Sequence, residues 1–188
     1  MSKGRAWTRT SPRRLLRLAL AAWIGLAGAT TVLHAQSLEV QSSTGTVEAL
    51  LPDLGWRQAV VGRPLPADTV LTSWIDSTAR AGLGDSTCSV GPLTHLRVVA
   101  VSDQLVQLAL LAGSVTVETG GLAYEIEFRG VTIRLQGGAA SVSDGVLTLT
   151  TATAVVSGAG AQPLTLKPGA VLDLLARYEG PVFRTDSQ

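Results

Sequence analysis

Cysteine, histidine and aromatic residues are all scarce in this sequence. The one cysteine, Cys88, leaves no intramolecular disulfide to form, so a domain built from this chain is stable through its core alone. Free cysteine is among the most buried residue types, and Cys88 reads as a small apolar core side chain. Only one histidine, His95, lies beyond the first 35 residues. A lone histidine cannot make a metal site, no Cys or His pair has zinc-ligand spacing, and no phosphate-cradling loop occurs.

Basic charge on the folded part is lacking too. The formal net charge is +1, but six of fifteen bases (Lys3, Arg5, Arg9, Arg13, Arg14, Arg17) precede residue 18 and no acid does, leaving nine bases against fourteen acids beyond it. A nucleic-acid footprint needs Lys and Arg clustered on the folded domain, so nucleic acid is not an expected partner. With 188 residues, 46% hydrophobic and 15% charged, the chain has about the length of one domain and enough apolar material for one core.

The basic residues belong to a leader. Leu18 to Leu33, apolar or small apart from Thr30 and Thr31, follow Arg13-Arg14-Leu15-Leu16-Arg17 directly, as an apolar h-region follows a basic n-region. Ala35 supplies the small residue for cleavage near Ala35/Gln36, although Leu33 is bulkier than the usual small-x-small pattern. A membrane span needs roughly 17–25 apolar residues, and this run falls just short. Residues 1–35 therefore read as a cleaved signal peptide and the product as periplasmic; the alternative is an uncleaved inner-membrane anchor. Leu15-Leu16-Arg17 fits a twin-arginine signal poorly, which leaves general secretion, and Cys88 is too far along for a lipoprotein anchor.

From Leu38 onward, β-branched and apolar stretches are broken by Gly, Asp, Ser and Pro every 8–12 residues or so, the pattern of an all-β fold. In Tyr124-Glu125-Ile126-Glu127-Phe128-Arg129 apolar and charged residues alternate strictly, as on a strand with one dry and one wet face. The alternation resumes at Val131 after Gly130, which reads as a bulge or tight bend. Gly120-Gly121, Gly137-Gly138 and Ser143-Asp144-Gly145 read as turns between consecutive hairpins. Gln104 to Ala112 fits helical spacing as well, but Gly113 and Val115-Thr116-Val117 favour a strand. Val171 to Arg177 reads as a strand or a helical turn. The expected fold is a single β-sandwich or roll of about 10–12 short strands over 36–175 with a tail at 176–188, the alternative being a short β-solenoid.

Gly45-Thr46-Val47, Gly55-Trp56-Arg57 and Gly62-Arg63-Pro64-Leu65-Pro66-Ala67-Asp68 open a series of motifs. Val70-Leu71-Thr72, Ser77-Thr78-Ala79, Gly84-Asp85-Ser86 and Thr94-His95-Leu96-Arg97-Val98 follow. Leu110-Leu111-Ala112-Gly113-Ser114-Val115 and, near the end, Leu166-Lys167-Pro168-Gly169 complete it. In this order they resemble the FecR family over roughly residues 39–172. Gly137 to Val142 departs from the family's pattern, lacking its threonine and phenylalanine. Gly62 and Gly113 are expected at turns or close approaches, and Asp68 and Asp85 as turn caps.

The resemblance implies a periplasmic sensing or scaffolding module. FecR proteins pass a signal through a membrane helix to a cytoplasmic anti-sigma segment; the short basic leader here leaves too little for that. The expectation is thus a non-enzymatic envelope module that binds a protein partner or cell-wall glycan, without cofactor or metal. A lipid- or lipopolysaccharide-carrying periplasmic β-roll, with an open apolar interior that Leu105 to Leu111 permit, is one alternative; a membrane-anchored signal-transduction regulator is another. No catalytic residue is assigned. Glu125 and Glu127, about 7 Å apart by strand rise, pose as a glycosidase pair, but Arg134 and Arg129 read as continuing a solvated row. His95 reads as a surface or half-buried strand residue. Trp56 and Trp74 either stack on sugars or pack the core, and at family-like positions the core reading leads.

Overall fold

The computed structural model describes residues 36–158 and 160–178. The expected signal peptide and the tail beyond Tyr178 lie outside the described residues. The first half of the domain contains β1 (Leu38–Thr44), β2 (Val47–Leu51), β3 (Gly55–Gln58), β4 (Pro64–Leu65), β5 (Val70–Ser73), β6 (Thr78–Leu83), β7 (Ser86–Val90) and β8 (His95–Val101). The second half adds β9 (Leu105–Ala112), β10 (Ser114–Glu118), β11 (Ala123–Phe128), β12 (Val131–Gln136), β13 (Ala139–Ser143) and β14 (Val146–Leu149). It closes with β15 (Thr153–Gly158), β16 (Ala161–Leu166), β17 (Val171–Asp173) and a short helix, α1 (Leu174–Tyr178).

The strands form two sheets. One runs β17-β14-β13-β10-β7-β6-β1-β4, the other β16-β15-β12-β11-β9-β8-β5-β2-β3. In β2, β10, β11 and β12 the side chains alternate regularly between core and solvent, so Tyr124, Ile126 and Phe128 are buried while Glu125 and Glu127 turn outward. The inward rows of both sheets meet in one apolar cluster, a β-sandwich rather than a solenoid. From β5 onward the chain alternates between sheets and each sheet grows in one direction. Neighbours are antiparallel except β11 and β9, which are parallel because the chain leaves for β10 in the opposite sheet between them.

Among the described residues there are seventeen strands, against the expected 10–12. The additional ones are short or close to the C-terminus, such as two-residue β4 and three-residue β17, where alternation is too brief to register. Gln104 to Ala112 does contain a strand, β9, and the segment from Val171 holds both readings in succession, β17 and then α1. Gly130 is not a bulge. Arg129 and Gly130 have φ of 49° and 79°, and Phe128 faces Val131, so they are the two central residues of a tight hairpin turn of the I′ kind. Asp144 and Gly145 (φ 51° and 79°) make an equivalent turn between β13 and β14. Gly120-Gly121 and Gly137-Gly138, by contrast, are not hairpin turns: each carries the chain from one sheet to the other.

Where the chain changes sheets, the ladder ends and backbone groups lose their strand partners. Serine and threonine hydroxyls supply them. Ser77 Oγ accepts from Thr46 N (2.9 Å), and Ser73 Oγ accepts from Thr94 N (3.0 Å) and donates to Gly91 O. Thr94 Oγ1 in turn accepts from Ser114 N (2.9 Å) and donates to Ser114 O (3.1 Å). A second series runs from Ser86, whose hydroxyl donates to Thr119 O, through Thr119 Oγ1, which accepts from Gly138 N (2.9 Å). It ends at Thr151 Oγ1, which accepts from Ala139 N (2.8 Å). Gly113, φ 85°, sits against this stitching so tightly that a Cβ would come within 2.4 Å of Thr94 Oγ1. The expected Asp68 and Asp85 do lie in turns, with Asp68 at φ 64° and donating its N–H to Val98 O, but the hydrogen bonds at the corners come chiefly from hydroxyls.

Thr94→Val keeps the shape of the side chain and strands the part-buried Ser114 N–H. It is expected to cost about 1–3 kcal/mol, read as a lower urea midpoint at unchanged slope. Thr116→Val, on the exposed face of β10, is expected to stay within about 0.5 kcal/mol. Equal effects from the two would contradict the role given to the corner hydroxyl.

Candidate functional site

The interior is occupied by the protein's own side chains. Tyr124, from β11, is fully buried, and Cys88 of β7 in the opposite sheet is near enough for a thiolate there to act on its phenol electrostatically. The Tyr124 hydroxyl finds no hydrogen-bond partner among the described residues. Burial pushes the Cys88 thiol from 9.0 up to about 12, partly opposed by a backbone hydrogen bond at Ala81. Burial, and then the negative charge of a Cys88 thiolate, pushes the Tyr124 phenol up as well. Cys88 is therefore the inert core residue that its type implies.

The aromatic and polar side chains singled out in the sequence as candidates for recognition lie on the outside. Trp56 and Trp74, expected in the core, keep 51% and 53% of their surface exposed. The physical reasons differ. Trp56 lies on β3, an edge strand with a neighbour on one side only, and faces Leu50 and beyond it Val70 on the outer surface of the nine-stranded sheet. Trp74 continues the outward alternation of Val70 and Thr72 past the end of β5, and its Nε1 donates to Glu48 Oε2 at 3.0 Å. Glu48 pairs across the strands with Thr72, and Thr72 with His95. The Thr72 hydroxyl and His95 Nδ1 are hydrogen-bonded at 3.0 Å, which makes His95 an exposed strand residue with a fixed ring. Both tryptophans thus share one sheet face with Glu48, Leu50, Val70 and His95, at the end of the sandwich formed by β2 and β3.

Glu125 and Glu127 share the outer face of the same sheet. Glu125 is engaged, accepting from Arg134 Nη2 and Gln107 Nε2, both at 3.0 Å. Arg134 continues the polar row, directly across from Glu125. Arg129 does not: it sits in the hairpin turn with its guanidinium 5.5 Å from the centre of the Phe128 ring.

Sequence reasoning did not single out a groove of about 530 Å³ formed where three turns converge. Asp103 and Gln104 come from the β8–β9 hairpin, Gly121, Leu122 and Ala123 from the β10–β11 crossing, and Gln136 and Gly137 from the β12–β13 crossing. Each turn was legible as a turn; their meeting depends on the sheet order and left no local signal. A smaller recess of about 160 Å³ lies beside β4 and includes Leu51, Leu54, Arg63 and Pro64. Among the described residues no group of three or more His, Cys, Asp or Glu is placed to hold a metal ion.

No family model and no curated protein matches the chain. Two crystal structures do, each of a candidate anti-sigma factor from Parabacteroides distasonis, at 14% and 13% identity and a TM-score of 0.44. The match covers 55% of this chain and 57% of theirs, so this chain spans a little over half the length of those proteins. A likeness at that level assigns no function.

A thiol held neutral by the fold makes stability fall with rising pH, because above its ordinary pKa the unfolded chain releases a proton that the native state keeps. The Cys88 contribution is whole below about pH 8.5 and drains away as pH climbs toward about 12. Cys88→Ala should flatten part of this alkaline limb in urea titrations. A native protein that reacts with a thiol reagent at pH 8 as fast as the denatured one would contradict the assignment.

Proposed function

We propose that the chain is a non-enzymatic, exported, FecR-like module of the bacterial envelope that holds a protein partner or a cell-wall glycan on its tryptophan face. The observation that carries this reading is the placement of Trp56 and Trp74, two large half-exposed rings on one sheet face over a filled core. Exposed aromatic surface is costly to leave in water, and tryptophan anchors recognition surfaces because it offers a large contact area with few rotatable bonds. Glu48, held by the Trp74 indole, and His95, held by Thr72, add fixed polar groups beside the rings. The basic-then-apolar pattern of residues 1–35 supports export, and the motif order supports the FecR-like reading. The filled interior favours a surface binder over a lipid carrier, which needs its apolar faces open.

Two measurements test it. The full chain, expressed with a C-terminal tag in a Gram-negative host, should appear in the periplasmic fraction with an intact mass lacking about the first 35 residues; a full-length product in the inner membrane would instead support the anchored regulator. Photo-crosslinking in the envelope and co-sedimentation with purified cell wall should both be read for the native chain and for Trp56→Ala/Trp74→Ala. Loss of the captured partner or glycan by about tenfold or more, as hot-spot tryptophans give, with a thermal midpoint changed little, is the expected result. Capture unaffected by the double substitution would remove the tryptophan face from the function.

A further inference from the structure

The geometry points to the three-turn groove as a second binding site, one that takes a neutral sugar ring. It shares no residue with the tryptophan face, so the two stand or fall separately.

Three observations define the site. Its volume, about 530 Å³, falls in the range of small-molecule pockets. Its lining mixes polar and apolar surface and carries one charge, Asp103, with no lysine or arginine to attract an anion and one carboxylate, too few to cage a cation. Asp103, Gln104 and Gln136 together offer acceptors and amide donors, the mixture that paired sugar hydroxyls satisfy because each hydroxyl both donates and accepts. Leu122 and Ala123, half-buried, give an apolar surface for the C–H face of a ring. At Gly121 and Gly137 an added Cβ would meet nothing within 4 Å, so both present bare backbone to open space.

The walls are also pre-set. Ser102 closes the β8–β9 hairpin: its N–H and its hydroxyl donate to Leu105 O, at 2.9 and 3.1 Å, and its Oγ accepts from Leu105 N at 3.1 Å. Gln104 O accepts from Ala123 N at 2.9 Å, fastening that hairpin to the next wall. Thr119 then joins the second wall to the third, its N–H donating to Gly138 O at 2.9 Å and its Oγ1 accepting from Gly138 N at 2.9 Å. A groove whose turns are tied to one another loses little freedom on binding, and that favours a weak, small ligand.

Two-dimensional amide and indole spectra of the isotope-labelled full chain, titrated with maltotriose, cellotriose and triacetylchitotriose to about 10 mM, well above a millimolar Kd, test this. The expected result is saturable shifts for at least one sugar at residues 102–105, 121–123 and 136–138. Asp103→Ala and Gln136→Ala should each weaken binding by about tenfold, the loss of one good hydrogen bond, with the rest of the spectrum unchanged. Shifts confined to the Trp56 and Trp74 indoles, with none at the groove residues, would overturn this site while supporting a glycan on the tryptophan face. Absence of shifts with all three sugars would overturn it too, as would groove shifts that both substitutions leave at full strength.

Discussion

Everything in this fold depends on satisfying the backbone where the chain passes from one sheet to the other. A sandwich made of long consecutive strands crosses seldom, whereas this one crosses after every one or two strands. Each crossing ends a ladder and exposes N–H and C=O groups at the margin of the core, where an unpaired group costs about 1–3 kcal/mol. Ser73, Ser77, Ser86, Thr94 and Thr119 are each at most 2% exposed, and each bonds the backbone of another crossing or of a strand end beside it. Positive-φ residues such as Gly113 and Gly138 let the chain turn sharply enough for those bonds to form. The hydroxyls therefore do for successive corners what ladder hydrogen bonds do for strands, and they make each crossing depend on the next.

That dependence explains what could be read from the chain in advance. Period-two alternation marks the strands well, so Tyr124 to Phe128 and Val131 to Gln136 were legible with nearly their observed limits. Asp144-Gly145 was legible as a hairpin because those residue types accept positive φ at both central positions. Gly120-Gly121 and Gly137-Gly138 have the same local chemistry yet cross between sheets, since a glycine pair permits a turn and the partner strand decides its direction. The tryptophans were misplaced for a related reason. Burial of a large aromatic side chain depends on having neighbours on both sides, and Trp56 sits on an edge strand that nothing in its own segment announces. The groove at Asp103, Gln104 and Gln136 was out of reach altogether, because it is built from residues that only the sheet order brings together.

The filled interior restricts where function can reside. Tyr124 and Cys88, one from each sheet, are both completely enclosed. Side chains packed at crystal-like density leave little room for an internal ligand. Recognition on such a body is a matter of its faces and turns. The nine-stranded sheet supplies both kinds of surface: tryptophans at the β2–β3 end, and turns further along from β8–β9 to the β12–β13 crossing.

The sheet edges separate the two ends further. Edge strands invite unwanted pairing unless they are short or interrupted. At the β4 edge, two residues are followed at once by Pro66 after Pro64; β17 is three residues long and runs straight into α1; β16 carries Pro163. Edge strand β3 has four residues, all exposed, and no proline. Leu54, Val60 and Val61 beside it are exposed as well. The least protected edge thus coincides with the tryptophan face, so a partner seated there would cover apolar surface and edge together. On the proposal that the tryptophan face binds a large partner, this coincidence is its physical reason, and the pre-set groove is left for something small.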